Sequence, residues 1–283
     1  MTIKQSLDRA GKKITPLEAE VLLAHLKKVD RAWLYRNQNF RLLNTDYSQY
    51  HKLVKCRLSG KPLPYITNHK EFFGLDFYVD ENVFIPRPET EILVEEVLGE
   101  VRSKKAEALK IVDVGTGSGC IAVALATNLK FKIPNLKIYA TEVSKKALKI
   151  AKINAQKHKV LDKITFLLGD LLKPLPEKID IIVANLPYVK TGYLKNLNFE
   201  PKIALDGGKD GFYFYKKLLL QGSQYLRENG KIFLEISPEQ KEKIKDLTLK
   251  LYPLAKIQFK KDLANLDRVT FLFLHLAQSK FNL

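Results

Sequence analysis

Residues Ile179 to Tyr188 read IDIIVANLPY, and this stretch decides the fold. Its apolar run, Ile179, Ile181, Ile182 and Val183, is short and β-branched, the pattern of a strand buried in a parallel sheet. The run breaks at Asn185-Leu186-Pro187-Tyr188, where a strand gives way to a loop. In open α/β sheets ligands bind just beyond the carboxyl ends of the strands. A carboxamide, a proline-stiffened turn and an aromatic ring therefore stand where a ligand is expected, and none is charged at neutral pH. Such a corner holds its ligand by geometry, hydrogen bonding and stacking.

Outward from this strand the pattern alternates. Strands are expected at 110–114, 136–141, 164–168 and 231–236, and helices over 119–129, 145–157, 211–227 and 239–251. That alternation predicts an α/β domain whose mainly parallel sheet is covered on both faces. Strands near 256–260 and 268–274 are spaced for an antiparallel hairpin at the sheet edge. The front of the chain reads as short helices. Thr15-Pro16-Leu17-Glu18 is a capping box with proline at the first helical position, predicting a helix from residue 16 with Leu17, Val21, Leu22 and Leu26 as its buried stripe. A short helix follows Asp30 over 32–36, and Asp46 is expected to cap another that reaches Leu58 and is closed by Gly60. Lys61-Pro62-Leu63-Pro64 reads as a linker, and Glu71 to Val79 as two strands about Gly74. The expected organisation is a helical domain over 1–64, a connecting β-hairpin over 65–84, and an α/β domain over 85–283.

The chain has 283 residues, 46% of them hydrophobic, enough for a large core. No run approaches the roughly 18 apolar residues of a membrane span, and Met1-Thr2-Ile3-Lys4-Gln5 lacks a signal peptide's apolar core, so a cytoplasmic protein is expected. Cys56 and Cys120 fall in different predicted helices and read as two free thiols. His25, His51, His69, His158 and His275 form no cluster with carboxylates at ligand spacing, so no metal is expected. The net charge of +17 is uneven: residues 1–71 hold 14 Lys and Arg against 6 Asp and Glu. Such a front suits an acidic partner, nucleic acid or protein, or simply keeps the surface soluble.

Asp113-Val114-Gly115-Thr116-Gly117-Ser118-Gly119-Cys120 joins the first strand to its helix. A dinucleotide fingerprint would need glycine at position 120, and a phosphate-binding loop would need Gly-Lys-Ser or Gly-Lys-Thr; both are absent. The spacing instead resembles the S-adenosylmethionine loop of Rossmann-like methyltransferases, in which glycines admit the methionine portion beside a helix N-terminus. That resemblance implies cofactor contacts at Asp113, Gly115, Thr116, Gly117, Ser118 and Gly119. It sets Glu142, after the second strand, against the two ribose hydroxyls, and Asp170 and Leu171, after the third, against the adenine.

Methyl transfer from a sulfonium needs an approaching nitrogen lone pair, which a planar NH₂ group delocalises. Asn185 Oδ1 and the Leu186 carbonyl can each accept one N–H of such a group, aiming the remaining density at the methyl, while Tyr188 stacks on its flat face. Catalysis then rests on orientation and preorganised dipoles, without a strong base. The tetrapeptide alone leaves open whether the acceptor is a glutamine amide or an adenine amino group.

Nearly the whole chain resembles one family, the release factor glutamine N5-methyltransferases. The resemblance runs through Leu22-Leu23-Ala24-His25, Glu71-Phe72-Phe73-Gly74-Leu75 and Ile85-Pro86-Arg87-Pro88-Glu89-Thr90-Glu91. It continues through the glycine loop, Asn185 to Tyr188, Glu200-Pro201, Ala204-Leu205, Gly207-Gly208-Lys209-Asp210-Gly211, and Asp262-Leu263-Ala264 with Arg268. It implies a class I methyltransferase domain behind a helical domain that binds the release factor. The cofactor implied is S-adenosyl-L-methionine, leaving as S-adenosyl-L-homocysteine, and the substrate is the glutamine of the Gly-Gly-Gln loop of bacterial class I release factors. Asn185, Leu186, Pro187 and Tyr188 would form the glutamine pocket, Asn185 also touching the cofactor, with Arg87 and Thr90 near its mouth. Three positions depart from the family: Leu186 replaces the usual proline, Glu142 the usual aspartate, and Asn265 a common glycine. Asn-Leu-Pro-Tyr is also the spelling in ribosomal RNA adenine dimethyltransferases. The alternatives are therefore a ribosomal-protein glutamine, an RNA or DNA adenine, or a noncatalytic RNA-binding role.

Overall fold

The structure, a computed structural model, describes residues 1–102, 107–196 and 199–274; His275 lies outside them. The chain divides into two compact units, Met1–His69 and Lys70–Leu283.

The first unit holds five helices among its residues: α1 (Ile3–Gly11), α2 (Pro16–Lys27), α3 (Arg31–Arg36), α4 (Asn44–Leu58) and α5 (Leu63–Thr67). Thr15 and Glu18 close the predicted capping box, with Pro16 at the helix start. The buried stripe is rotated from the expected one. Ala19, Leu22 and Leu23 are buried and Leu26 partly so, whereas Leu17 is 52% exposed, because position 17 lies off the 19-22-23-26 face. Asp46 does not cap α4, which begins at Asn44; from inside the first turn it takes Lys27 Nζ at 2.7 Å. The segment expected as linker is partly helical, Pro64 sitting in the first turn of α5, where a missing N–H costs nothing.

In the second unit, β1 (Lys70–Phe72) and β2 (Leu75–Phe77) form an antiparallel hairpin whose turn residues Phe73 and Gly74 are both left-handed, at φ 53° and 69°. Helix α6 (Glu89–Arg102) follows, with Glu89 and Glu91 in its first turn. Then come β3 (Ala108–Val114), α7 (Cys120–Leu129), β4 (Asn135–Glu142), α8 (Lys145–Lys157), β5 (Ile164–Leu168), β6 (Ile179–Ala184), α9 (Tyr213–Tyr225), β7 (Leu226–Glu235), α10 (Lys241–Leu251), β8 (Lys256–Lys261) and β9 (Asp267–Phe273). The seven strands run in the order β5-β4-β3-β6-β7-β9-β8, parallel from β5 to β7, with β9 and β8 antiparallel at the edge as their spacing suggested. Helix α9 is shorter than expected because Leu226 turns to φ −85°, ψ 148° and pairs with Ile179 before a bulge.

On one sheet face Leu218, Leu219 and Ile244 from α9 and α10 pack with Ile182, Ile232 and Leu272 in one buried cluster. Each such side chain contributes roughly 1.5–3 kcal/mol of burial. The strand order reverses beside β3, whose neighbours are β4 and β6. A switch point opens a crevice at the carboxyl ends of such strands, and both motifs of interest fall there.

Candidate active site

That crevice is a cavity of about 260 Å³. Its walls include Gly115 to Ser118 after β3, Glu142 after β4, Asp170 and Leu171 after β5, and Asn185 to Tyr188 after β6. In a chain with 48 Lys and Arg, none lines this cavity among the described residues; its only formal charges are the carboxylates of Glu142 and Asp170. A phosphate-bearing ligand would meet the Glu142 carboxylate and no cation of the wall, whereas a cationic sulfonium is favoured.

The cofactor wall is built locally. Gly115, Gly117 and Gly119 are all left-handed, at φ 71°, 55° and 83°. A Cβ on Gly119 would come within 3.0 Å of Ala151 Cβ, so glycine here lets α7 start against α8. Behind the turn, the buried Asp113 accepts from Thr116 Oγ1 at 2.6 Å and from Ala122 N at 3.1 Å. Burial pushes its carboxyl up to about 7. Asp113 and Gly119 thus brace the loop from behind rather than lining the cavity. Asn154 pins the same loop, donating to Ser118 O at 2.8 Å and to Tyr78 O at 3.0 Å. Glu142 Oε1 accepts from the amides of Val143 and Ser144, each at 2.9 Å, and Oε2 from Gly117 N at 3.0 Å. This leaves acceptor capacity on Oε2, and the longer side chain bridges two strand ends. Asp170 faces the cavity but pairs with Lys217 at 2.7 Å.

The Asn-Leu-Pro-Tyr corner is held by distant residues. Asn185 Nδ2 donates to Thr90 Oγ1 at 3.1 Å, and Thr90 Oγ1 donates to Glu235 Oε2 at 2.6 Å. Glu235 ends β7 and is 3% exposed; burial raises its carboxyl to about 7, against the pull of the Thr90 hydrogen bond. Tyr215 Oη donates to Glu235 O at 2.8 Å and only weakly, at 3.4 Å, toward Leu186 O, so the Leu186 carbonyl keeps most of its accepting strength. The Leu186 side chain is buried and turned toward Gly115. Tyr188 is half-buried, its phenol pushed up by burial and by the Glu235 charge. A Cβ on Gly207 would lie 2.7 Å from Pro187 O, and one on the left-handed Gly211 would strike Tyr188 O. The 205–211 segment therefore runs backbone to backbone against the corner, joined by Gly207 N to Val189 O at 2.8 Å.

The structure gathers the sequence-derived residues unevenly. Thr90 reaches the cavity wall, but its hydroxyl is committed to Asn185 and Glu235. Arg87 is absent from the cavity lining; its guanidinium pairs with Glu200 at 2.6 Å and sits over the Phe84 ring. Sequence reasoning missed Glu235, a lone acid at the end of an apolar strand, and the apolar lining residues Phe84, Ile203 and Phe214. The glycines at 207 and 211 were visible as part of the family resemblance, not as the buttress they form. Among the described residues no group of His, Cys, Asp and Glu could hold a metal, and Cys56 and Cys120 are free.

Residues 2–67 match the family model described as the PrmC N-terminal domain, and residues 105–262 one described as a methyltransferase domain. The release factor glutamine methyltransferase of Moorella thermoacetica is 38% identical over 280 residues, covering 95% of this chain and 97% of that one. That of Coxiella burnetii is 38% identical over 271 residues, covering 94% of each. A bifunctional methyltransferase of Rickettsia typhi is 36% identical, the match covering 86% of this chain and 52% of that protein. Among solved structures, a methyltransferase from Pyrococcus furiosus superposes with a TM-score of 0.53 at 21% identity, covering 73% of this chain and 91% of that one. At that identity the likeness speaks for the fold alone. With full-length relatives at this level and a cavity of this make-up, the chain belongs to the release factor glutamine methyltransferase family.

Proposed function

We propose that this methyltransferase moves the methyl group of S-adenosyl-L-methionine to the side-chain nitrogen N5 of the glutamine in the Gly-Gly-Gln loop of bacterial class I release factors. The observation that carries the reading is the orientation of Asn185. Its amide nitrogen is taken by Thr90 at 3.1 Å, which leaves Oδ1 to accept from a ligand. Beside it the Leu186 carbonyl is a second acceptor with no strong donor of its own. Two acceptors on adjoining residues of the cavity wall match the two hydrogens of a planar NH₂ group.

The residues present fit the cofactor. A glycine turn without side chains in the way, two carboxylates and no lining cation suit an adenosyl sulfonium. When bound, it supplies an electrophilic methyl on sulfur. Glu142 Oε2 would accept from the ribose, Asp170 and the Leu171 backbone would meet the adenine, and the Gly115–Gly119 turn would admit the methionine portion. Asn185 and Leu186 hold the glutamine nitrogen by its hydrogens, Tyr188 covers its flat face, and the apolar lining from Phe84, Ile203 and Phe214 limits water. Asn185 and Leu186 then carry the rate through orientation, with no strong base, as for other entropic traps. For the front unit we assign recognition of the release factor. In the second unit the Arg87–Glu200 pair fixes the segment that enters the cavity wall at Pro86.

The test incubates the protein and labelled S-adenosyl-L-methionine with a lysate from cells lacking the activity. Label on a glutamine side chain of a release factor is the expected result. Label on a ribosomal protein or in RNA would overturn the substrate assignment.

A further inference from the structure

Glu235 and Thr90 touch neither end of the reaction described above, yet they decide which end of the Asn185 amide faces the cavity. We infer that Glu235 is a positioning residue: through the hydroxyl proton of Thr90, and by its own hydrogen bond from the Asn185 side chain, it fixes Asn185 with its carbonyl oxygen, not its NH₂, toward the substrate. The inference rests on the glutamine reading of that site.

The argument is one of hydrogen counting. An ionised carboxylate only accepts, so Thr90 must give its one proton to Glu235 Oε2, at 2.6 Å. Thr90 Oγ1 can then only accept from Asn185, and the 3.1 Å partner is Nδ2. The reverse amide orientation would set two acceptors against each other. A half-exposed asparagine would otherwise sample both orientations, and only one of them accepts from an NH₂ group. Glu235 is itself held: it is 3% exposed, at the end of β7. The Asn185 side chain also hydrogen-bonds the carboxylate directly, and around it stand Glu89, Arg268, Cys120 and the phenols of Tyr188 and Tyr215. Arg268 is occupied by Asp262 at 2.7 Å, and the two phenols and the thiol are pushed up by burial, so they stay neutral near pH 7. Burial also lifts Glu235 to about 7. A protonated Glu235 would donate to Thr90, free the Thr90 proton, and release the lock.

The experiment compares Thr90→Val, Thr90→Ser and Glu235→Met in the full chain, with purified release factor as acceptor. Turnover is read at saturating substrates, affinity for S-adenosyl-L-homocysteine by calorimetry, and the Asn185 side-chain NH₂ signals by ¹⁵N spectroscopy without ligands. Thr90→Val and Glu235→Met should lose about 10- to 100-fold in kcat, the scale of a misplaced reacting group. Their S-adenosyl-L-homocysteine affinity should stay within about twofold and their Asn185 NH₂ signals should lose exchange protection. Thr90→Ser, which keeps the hydroxyl, should recover both kcat and protection. In an Asn185→Ala background neither substitution should cost anything more, since nothing is left to orient. Losses that multiply with Asn185→Ala, or kcat within twofold of the parent in both Thr90→Val and Glu235→Met, would overturn the inference while leaving the glutamine reading intact. A parent protein that methylates no release factor would overturn both.

Discussion

The two walls of the cavity sit on neighbouring strands, yet they are built in opposite ways. The cofactor wall is nearly local: Asp113 accepts from Thr116 and Ala122 within one strand-turn-helix unit, and the next strand and helix tie it through Glu142 and Asn154. The Asn-Leu-Pro-Tyr corner draws its support from α6, β7 and the 205–211 segment, all remote in sequence. The difference teaches that binding a ligand common to many enzymes needs little beyond one strand-turn-helix and the strand and helix that follow it. Aiming an uncharged amide needs an over-determined surround, because a carboxamide has no charge to orient it.

Substitutions can break this contrast. The largest effect is expected at Asn185→Ala, which removes one preorganised acceptor: kcat should fall about 10²- to 10³-fold, with affinity for S-adenosyl-L-homocysteine falling far less. Next comes Gly211→Val, whose side chain would strike Tyr188 O and force the corner aside. A displacement of order 1 Å can cost about 10²-fold, so kcat should drop on that scale while cofactor binding measured by calorimetry persists. On the other wall, Glu142→Ala should do the reverse. It loses charge-assisted bonds worth roughly 1.5–3 kcal/mol, so cofactor affinity should weaken about 10- to 100-fold with kcat at saturation little changed.

How much of this could be read from the chain follows the same divide. Strand alternation, the capping box at Thr15, the glycine turn and the placement of Asn185 are patterns of near neighbours, and they were legible. Glu235 was not, since a single acid after Ile232-Phe233-Leu234 reads as the end of a strand until Thr90 is brought to it across 145 residues of chain. Arg87 was placed near the cavity mouth by the family resemblance alone; its charge is matched by Glu200, 113 residues away, which no periodicity connects to it. Leu17 failed for a simpler reason: the helical stripe has two plausible phases, and the partners in the core select one.

Two smaller effects sharpen the contrast further. Burial holds the Glu235 carboxyl at about 7, above its ordinary 4.5, so the folded chain binds that proton more tightly than the unfolded one. Stability from this group is therefore present at low pH and is lost as pH rises from about 4.5 through about 7, at up to about 1.4 kcal/mol per pH unit. Glu235→Gln lacks this titration, so in denaturant melts its stability relative to the parent should climb between pH 5 and pH 8 and then level. Asp113, also raised to about 7, is common to both proteins and cancels in the comparison. Leu186→Ala should cost about 2–4 kcal/mol in the same melts, as a buried leucine. Because it keeps its carbonyl, kcat below the melting range should stay within a few-fold of the parent.

The central claim is that Asn185 and Leu186 grip a planar NH₂ group by its hydrogens. A structure of the protein with S-adenosyl-L-homocysteine and a release factor tests it directly. The glutamine amide nitrogen should lie about 2.7–3.2 Å from both Asn185 Oδ1 and Leu186 O. A glutamine nitrogen held by other groups, or facing Asn185 Nδ2, would contradict the account.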